Sequence, residues 1–374
     1  MSRRNHEAGR AGARRRLLAM IAQATTACAA ASPAAADVPA GTFSVAARDS
    51  VTGEVGVAVQ SKVFGVGPRV AWALGGAGAI ATQAQSNESF GPDGLRLLDA
   101  GLSAGEVLDW LLAHDPGREN RQAGVVDASG GVAAWTGAAC MDWAGDSTGV
   151  DFTCQGNILA GPAVVAEMAR AFHETSGQEL ARRLLAALEA AQAAGGDRRG
   201  RQSAAILVGR PHPDYPEYAR RYVDIRVEDH ATPIAELRRL YGMYEAQGLT
   251  QAHLRFSEWM DAAGDSASAR RERERVGEVL VRVLERDDAD AGTLNALAWF
   301  AATHDIFLEE ALAAARRAVE LEPEDGNILD TLAEAHFRLG QVDEAVAVGK
   351  RALALSPDDD YLKEQIARFE AARR

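Results

Sequence analysis

The chain has 374 residues and a formal charge of −13, with 40 basic and 53 acidic side chains. This length is sufficient for one full hydrophobic core and a smaller additional module. The acidic balance, and the lack of a basic stripe after the first 40 residues, argue against nucleic acid and anionic membrane surfaces as partners. Because no cluster of histidine, cysteine and acidic residues has zinc spacing, the sequence predicts no metal site and no cofactor.

Residues 1–40 are predicted to be a secretory signal peptide rather than part of the fold. Basic residues 14–16 precede an apolar run from Leu17 to Ala30, and small-residue cleavage options lie before Asp37 and before Gly41. The apolar run is too short to cross a bilayer, so no membrane span is expected. The prediction is therefore a periplasmic or secreted protein. The alternative is a disordered tail rich in alanine.

Residues 41–230 are predicted to form the larger domain. A hairpin over residues 42–60 is indicated by Val55, Val57 and Val59, which alternate on one face. The other predicted elements are a strand at 75–84, helices at 94–101 and 104–114, strands at 123–128 and 132–138, helices at 162–173 and 178–194, and strands at 203–208 and 222–227. Separate runs of strands and helix pairs predict an antiparallel α+β fold. Helix pairs outside two stacked sheets would form a four-layer αββα sandwich.

The remainder of the chain is predicted to be helical. Residues 231–275 are interpreted as a helical linker, and residues 276–374 contain a repeat with a period of 34 residues. Two alanines and a proline recur at that period: Ala311, Ala318 and Pro323 return as Ala345, Ala352 and Pro357. This pattern resembles tetratricopeptide repeats, which bind protein partners or pair two chains in a homo-oligomer. Residues 361–374 are expected to supply a capping helix.

Six segments of the larger domain, in order, resemble a known family. They are residues 42–49 (TFSVAARD), 78–84 (GAIATQA), 121–127 (RQAGVVD), 155–159 (QGNIL), 195–204 (GGDRRGRQSA) and 223–230 (VDIRVEDH). The family is the Ntn-hydrolase-like domain of unknown function 1028, and the resemblance covers about residues 42 to 244. It implies the αββα Ntn-hydrolase fold, with a threonine that opens the first strand as the candidate nucleophile. It does not define the reaction.

Thr42 is the leading candidate for the catalytic nucleophile. A threonine at a mature amino terminus has a free α-amine that can act as general base for its own hydroxyl. Thr42 lies one or five residues beyond the two signal-cleavage options, so a second step is needed, either self-cleavage of the Gly41–Thr42 bond or trimming by an aminopeptidase. The alternative is that Thr42 is a β-branched residue that opens a strand.

Lys62 and Asp49 are the other catalytic candidates. Lys62 is the lysine of the larger domain, and its charge can tune the amine of Thr42, as lysine does in proteasome-like Ntn enzymes; the alternative is a surface side chain. Asp49 follows the first strand, where aspartate also serves as a turn residue through local hydrogen bonds.

Substrate-binding candidates cluster in the glycine-rich loop 195–202. The candidates are Asp197, Arg198, Arg201 and Gln202: an arginine can clamp a substrate carboxylate through two hydrogen bonds, or an internal Asp–Arg pair can simply order the loop. Two further residues are oxyanion or substrate-binding candidates: Gln83, on a glycine-rich strand, and Asn157, interpreted as lying at the start of a helix. Asn157 either donates to an oxyanion or caps that helix.

Cys140 and Cys154 remain after removal of the signal. In an oxidising compartment they can form a disulfide whose loop of about 15 residues contributes roughly 3 kcal/mol, or they are two buried free thiols.

The leading functional hypothesis is an exported N-terminal-threonine hydrolase that cleaves a small amide or peptide-like C–N bond. Its substrate would be a small-molecule amide or a peptide. The alternative is a non-catalytic binding protein with the Ntn fold, whose tetratricopeptide repeats mediate protein–protein interaction.

Overall fold

The computed structural model describes residues 41–211 and 220–373. The predicted signal peptide therefore lies outside the described residues. The chain divides into two compact units, Met1–Arg239 and Leu240–Arg374.

The first unit contains two antiparallel sheets. Its strands are β1 Thr42–Arg48, β2 Val55–Ser61, β3 Ala71–Leu74, β4 Gly78–Ala84, β5 Arg121–Asp127, β6 Val132–Thr136, β7 Gly145–Gly149, β8 Phe152–Asn157, β9 Ser203–Gly209 and β10 Arg221–Val227. Six strands form one sheet in the order β10-β9-β2-β1-β8-β7, and four form the other in the order β3-β4-β5-β6. The ladders between described strands are antiparallel, as the separated runs of strands and helices predict.

Helices cover the outer face of each sheet. The helices of this unit are α1 Gly67–Val70, α2 Phe90–Asp99, α3 Ala104–Ala113, α4 Ala163–Glu174 and α5 Leu180–Ala193, with a 3₁₀ turn at Arg118–Asn120. Helices α2 and α3 pack on strands β4 to β6, whereas α4 and α5 pack on strands β1, β2, β7 and β8. The two sheets contact each other through β1, β2, β8 and their partners β3 to β5.

Alternation along the strands explains this packing. Val55, Val57 and Val59 of β2 point into the space between the sheets, where they meet Ala79 and Ala81 of β4 in one buried cluster. Successive strand residues point to opposite faces, so every second residue of β2 joins this cluster.

Strands β7 and β8 were not expected from the sequence. Strand β7, with the sequence GDSTG, lacks the apolar alternation that predicts a strand. All six residues of strand β8 are buried, but those that face the space between the sheets are polar, so the strand has no apolar pattern to reveal it. The strand predicted at 75–84 is shorter in the structure, because a turn at residues 75–77 separates β3 from β4. The failure to predict these two strands matters because β8 pairs directly with β1.

The second unit is all helical. Its helices are α6 Pro233–Tyr244, which contains the boundary between the units, then α7 Thr250–Ala262, α8 Ser266–Leu284, α9 Ala291–Thr303, α10 Leu308–Leu321, α11 Gly326–Arg338, α12 Val342–Leu355 and α13 Asp360–Ala371, with a π-helical segment at Glu245–Leu249. Helix α8 runs through residue 275, where the predicted linker ends. The recurring alanines of α10 and α12 are fully buried. Small side chains at those positions allow neighbouring helices to pack closely.

Aspartates mark several helix starts in this unit. The carboxylates of Asp265, Asp290, Asp325 and Asp359 accept hydrogen bonds from backbone N–H groups in the first turns of α8, α9, α11 and α13. Each satisfies donors that the helix itself leaves unpaired. Within residues 41–211 and 220–373, no helix is both long and apolar enough to cross a membrane.

Candidate functional site

Thr42 begins β1 in the middle of the six-stranded sheet. It pairs with Ser61 of β2 on one side and with Asn157 of β8 on the other. Its side chain is buried, with 2% exposure, and its Oγ1 lies 2.9 Å from Ser61 Oγ. Residues 42, 44 and 46 alternate onto the inter-sheet face, since Ala46 belongs to the cluster between the sheets. The candidate nucleophile therefore faces the space between the sheets, at the end of its strand.

The carbonyl of Gly41, directly before Thr42, accepts hydrogen bonds from two side chains. Arg199 Nη2 donates to Gly41 O at 2.6 Å, and Ser61 Oγ donates to the same oxygen. Ser61 therefore contacts both the Thr42 hydroxyl and the carbonyl of the Gly41–Thr42 peptide bond. This three-residue contact is the most specific polar arrangement around Thr42.

Asp197 holds Arg199 in place. Arg199 Nε donates to Asp197 Oδ1 at 3.1 Å and Nη2 donates to Oδ2 at 2.7 Å, while the backbone N–H of Arg199 also donates to Oδ1. The N–H of Lys62 donates to Oδ2 at 3.2 Å. The structure thus contains the Asp–Arg pair that orders the loop, with Arg199 as the arginine. Bidentate pairing of this kind fixes the orientation of a guanidinium group.

A buried network of amides lies beside Thr42. Gln83 Nε2 is 3.3 Å from Thr42 O and 2.8 Å from Gln122 Oε1. Asn157 Nδ2 donates to the same Gln122 oxygen at 3.1 Å, and Gln122 Nε2 donates to Gly156 O at 2.8 Å. Gln83 and Asn157 are thus brought together near Thr42, and the NH₂ group of each donates to the same Gln122 oxygen.

The network extends along the strands. Ser44 Oγ donates to Gln83 Oε1 at 2.7 Å and accepts from Gln155 Nε2 at 2.6 Å. Room for the Gln155 amide comes from Gly124 of β5, where a Cβ atom would lie 2.3 Å from Gln155 Oε1. Packing therefore favours glycine at position 124, because a side chain there would collide with the Gln155 amide.

The helix-cap interpretation of Asn157 is wrong. Asn157 is the last residue of β8, and α4 begins at Ala163 with Pro162 as its N-cap residue. The error follows from the unrecognised strand β8.

Asp49 lies far from Thr42. Seven residues of extended chain separate them, which corresponds to about 23 Å at the usual rise of a strand. Asp49 Oδ1 accepts from the N–H groups of Val51 and Thr52, and Arg183 Nη1 is 3.9 Å from Oδ2. The structure therefore places Asp49 in a turn and does not bring it into the Thr42 cluster.

The side chains of Lys62, Arg198 and Gln202 contact groups other than Thr42 and Gly41. The exposed Lys62 ammonium lies 3.5 Å from Arg201 O, and Arg198 Nη2 donates to Asp142 O at 2.7 Å. Gln202 Nε2 donates to Asp229 Oδ1 at 3.0 Å. Of the predicted loop residues, Asp197 is the one whose side chain is packed against Gly41.

Both described cysteines are free thiols in the structure. Cys154 is buried in β8, and burial raises the pKa of its thiol. Cys140 is partly buried, Cys140 Sγ is 3.4 Å from Arg121 O, and burial raises its pKa as well. Neither thiol has the lowered pKa of a reactive cysteine.

Sequence reasoning missed Ser61 and Arg199. Ser61 continues the alternation of Val55, Val57 and Val59, so its position on the inter-sheet face was available from the sequence. No comparable signal distinguishes Arg199 from its neighbours Arg198 and Arg201.

A cavity of about 770 Å³ in the first unit does not include Thr42. Its lining includes Trp72, Arg96, Arg220 and Arg226. Arg220 adjoins the start of β10, which pairs with the end of β9, whereas Thr42 lies level with Ser203 at the start of β9. The polar contacts of Thr42, rather than this cavity, define the candidate site. Among the described residues, no three His, Cys, Asp or Glu side chains come together as metal ligands.

Two family models match different parts of the chain, one in each of the two compact units. Residues 42–237 match the model of a family of unknown function, DUF1028, and the chain belongs to that family. Residues 326–369 match a tetratricopeptide repeat. A crystal structure of protein SPO2555 from Silicibacter pomeroyi, described by the same family model, is 35% identical, covers 55% of this chain and 86% of its own, and has a TM-score of 0.49. No curated protein matches the chain.

Proposed function

We propose that this protein is an exported N-terminal-threonine hydrolase that cleaves a small amide or peptide-like C–N bond. The larger unit would have the Ntn-hydrolase fold. Support comes from two facing antiparallel sheets with helices on their outer faces. The observation that carries the proposal is the place of Thr42 as first residue of a central strand, with its hydroxyl 2.9 Å from a second buried hydroxyl.

In the proposed reaction, Thr42 Oγ1 attacks the substrate carbonyl carbon while the α-amine of Thr42 accepts the hydroxyl proton. The C–N bond breaks, and the leaving nitrogen takes that proton. The acyl group is then joined to Thr42 Oγ1 as an ester. Water attacks the ester with the amine again acting as base, which releases a carboxylic acid and restores the hydroxyl.

This chemistry requires removal of everything before Thr42. In the structure the nitrogen of Thr42 is bonded to Gly41 and has no free amine. Thr42 is also 98% buried, so its hydroxyl has no open approach for a substrate in the uncleaved chain. The rival function, a non-catalytic binding protein, follows if this bond stays intact in the mature protein.

The test compares protein beginning at Thr42 with the same protein carrying Thr42→Ala. Both are offered a panel of small N-acyl amides and short peptides, and carboxylic acid release is measured. We expect hydrolysis by the parent and none by the variant. Equal hydrolysis by both, or hydrolysis by neither across the panel, contradicts the threonine mechanism.

The tetratricopeptide repeat supports a second role in binding a protein partner. We propose that the second unit recruits a partner or pairs two chains. Light scattering on the full chain separates these outcomes, because pairing doubles the molar mass in the absence of any other protein. Export is tested by fractionation of the native host, where the proposal requires the mature protein outside the cytoplasm.

A further inference from the structure

We propose that the edge of strand β3 binds a short, extended, acidic peptide segment, which adds to the four-stranded sheet as a further strand. The site is the cavity of about 770 Å³ in the first unit. Thr42 does not line this cavity, so the inference is independent of the proposed hydrolase.

The cavity runs along the edge of β3. All four residues of this strand, Ala71–Leu74, line it. Successive side chains of a strand point to opposite faces of the sheet, so a cavity that contacts all four must extend along the strand's edge. The opposite edge of β3 pairs with β4, and within the described residues β3 pairs with no second strand.

The backbone of β3 is available to an added strand. Every second residue of an edge strand directs its N–H and C=O away from the paired neighbour. The chain itself uses the N–H of Ala71, which donates to Gly67 O, and the carbonyl of Leu74, which accepts from Ala77. The groups between these two are the ones that a peptide in extended conformation would pair.

The cavity has a wall on each side of this edge. Strand β3 packs over β2 and β9, so the six-stranded sheet extends one strand further, to β10. Arg226 of β10 pairs with Ala205, which belongs to the cluster between the sheets, so Arg226 lies on the face that is turned toward β3. Helix α2 forms the other wall with Leu95 and Arg96. A strand added here would direct alternate side chains to the two walls.

Trp72 provides an apolar surface on the α2 side. Its ring packs on the backbone of α2, where a Cβ atom on Gly91 would lie 2.1 Å from the ring atom Cδ2. Its Nε1 donates to Arg69 O at 3.4 Å, and Pro92 and Leu95 line the cavity beside it. An aromatic side chain that is already fixed loses little freedom on binding. We therefore expect apolar side chains of the peptide on this wall.

The β10 wall carries a positive charge. Asp224 Oδ1 accepts from Arg226 Nε at 2.9 Å, and Asp224 Oδ2 accepts from Arg226 Nη2 at 3.0 Å and from Arg221 Nη1 at 2.9 Å. One carboxylate is thus shared by two guanidinium groups. A carboxylate on the peptide would supply the second negative charge and hydrogen-bond acceptors for these groups.

The other described charges at the cavity balance one another. Arg96 bonds to Asp93, and the remaining lining charges are Arg220 and Asp99, one of each sign. The excess of one positive charge therefore stays with the β10 wall, although the whole chain has a formal charge of −13. Charge complementarity selects an acidic partner.

The dimensions select a short segment. Four residues of strand span about 13 Å at the usual rise per residue. The volume of about 770 Å³ is typical of sites for small ligands. A small organic anion would use the guanidinium groups but leave the strand edge unpaired, so the exposed backbone favours the peptide.

The experiment measures binding of an acetylated pentapeptide of alternating valine and glutamate residues to the full chain by isothermal titration calorimetry. We expect saturable binding with one peptide per chain, which weakens as the salt concentration rises. The same peptide with glutamine in place of glutamate is the neutral control, and it should bind about fivefold more weakly or worse.

Two N-methylated forms of the pentapeptide test strand addition. One carries methyl groups on the nitrogens of its residues 1 and 3, the other on those of residues 2 and 4. Only alternate residues of an added strand donate to the neighbouring strand, so one form should lose binding and the other should keep it. Equal affinity of the two forms would show that an anion alone is recognised, and would overturn the inference.

Arg226→Gln tests the charged wall and should weaken binding of the glutamate peptide by about fivefold. Arg69→Gln is the matched control, because Arg69 lies on the neighbouring helix α1, bonds to Glu88 and does not line the cavity. It should bind as the parent does. Thermal unfolding is compared for both variants, and the peptide comparisons decide the question if Arg226→Gln fails to fold.

Three further results overturn the inference. The first is no binding of the glutamate peptide at millimolar concentration, and the second is parental affinity in a folded Arg226→Gln chain. The third is a parent that light scattering shows to be a dimer and that becomes monomeric with Arg226→Gln, which would assign the edge of β3 to a second copy of the chain. Amide hydrolysis at Thr42 is unaffected by any of these outcomes.

Discussion

At the residue scale, Thr42 is distinguished by its neighbours more than by its own chemistry. A buried hydroxyl on the first residue of a strand is ordinary, but a second hydroxyl and a guanidinium converge on the preceding carbonyl. The sequence predicted Thr42, Gln83, Asn157 and Asp197 as members of the site, and the structure places them together. The sequence could not predict that Arg199, rather than Arg198 or Arg201, contacts Gly41. The three arginines lie in one loop and differ only in the local direction of the backbone.

The first prediction concerns the side chain of Thr42. Thr42→Ala should abolish amide hydrolysis because it removes the atom that forms the ester, while Thr42→Ser should retain measurable turnover. Thr42→Cys should make activity sensitive to thiol reagents. The measurement is acid release before and after alkylation, in a Cys140→Ser background. Cys154 is buried, so loss of activity in the parent on the same treatment would contradict the assignment.

The second prediction concerns Gln122, whose amide joins the two sheets. Its Oε1 accepts from Gln83 and Asn157, and its Nε2 donates to Thr136 Oγ1 and to two backbone carbonyls. Gln122→Ala should lower the free energy of unfolding by about 2–4 kcal/mol, because buried polar atoms lose their partners. Denaturant titration measures this change.

Gln178→Ala, at an exposed position, is the control for that substitution and should change stability by less than about 0.5 kcal/mol. A comparably small effect at Gln122 would mean that water replaces the lost amide, and that the network tolerates rearrangement.

At the element scale, the sequence predicted helices better than polar strands. The helix pairs of the first unit follow from apolar periodicity, and the repeat of the second follows from its alanines. Strand β8 was not predicted because its inward residues Thr153, Gln155 and Asn157 are polar, although all are buried. Such residues are stable inside because they bond to one another across the sheets, which is a long-range property that no local pattern contains.

The third prediction concerns the contact between α11 and α13. Asp330 of α11 accepts from Gln365 of α13, and burial together with nearby Glu334 and Asp359 raises its pKa to about 6. The folded state therefore binds a proton more tightly than the unfolded chain, whose aspartate titrates near 3.8. The stabilising contribution is complete below pH 4 and is lost as the pH rises through about 6.

Asp330→Asn should remove this dependence. The amide stays neutral and its oxygen still accepts from Gln365, so the second unit should gain about 1 kcal/mol at pH 7.5, after allowance for partial exposure. Thermal unfolding at pH 4.5 and pH 7.5 measures the difference. Asp358→Asn, which changes an exposed carboxylate close by, serves as control; an equal gain from that variant would show a general charge effect.

At the scale of the whole molecule, the family match and the repeat match fall in different compact units. The sequence analysis places a helical linker at residues 231–275, and the predicted end of that linker falls inside α8, Ser266–Leu284. The apolar residues of α8 that enter the helical core, Val279, Leu280 and Val283, all follow that point.

The fourth prediction follows from this division. A chain that ends at Tyr244, the last residue of α6, should stay folded and keep the far-ultraviolet spectrum of an α+β protein. A chain that ends at Arg275 should be less soluble, because it keeps the start of α8 but lacks Val279, Leu280 and Val283 and the helices whose core they join. Equal solubility of both would show that the truncated helices need no such core. Insolubility of the shorter chain would show that the larger unit requires the helices that follow.

The central place of β1 in its sheet has a consequence for the end that cleavage would create. New chain termini normally fray, because their first residues have few neighbours and gain entropy by moving. Here the first residue would keep ladder partners on both sides, Ser61 in β2 and Asn157 in β8. The released amine would therefore already be ordered when it forms. Little further conformational entropy would be lost before the new amino terminus could act as a base.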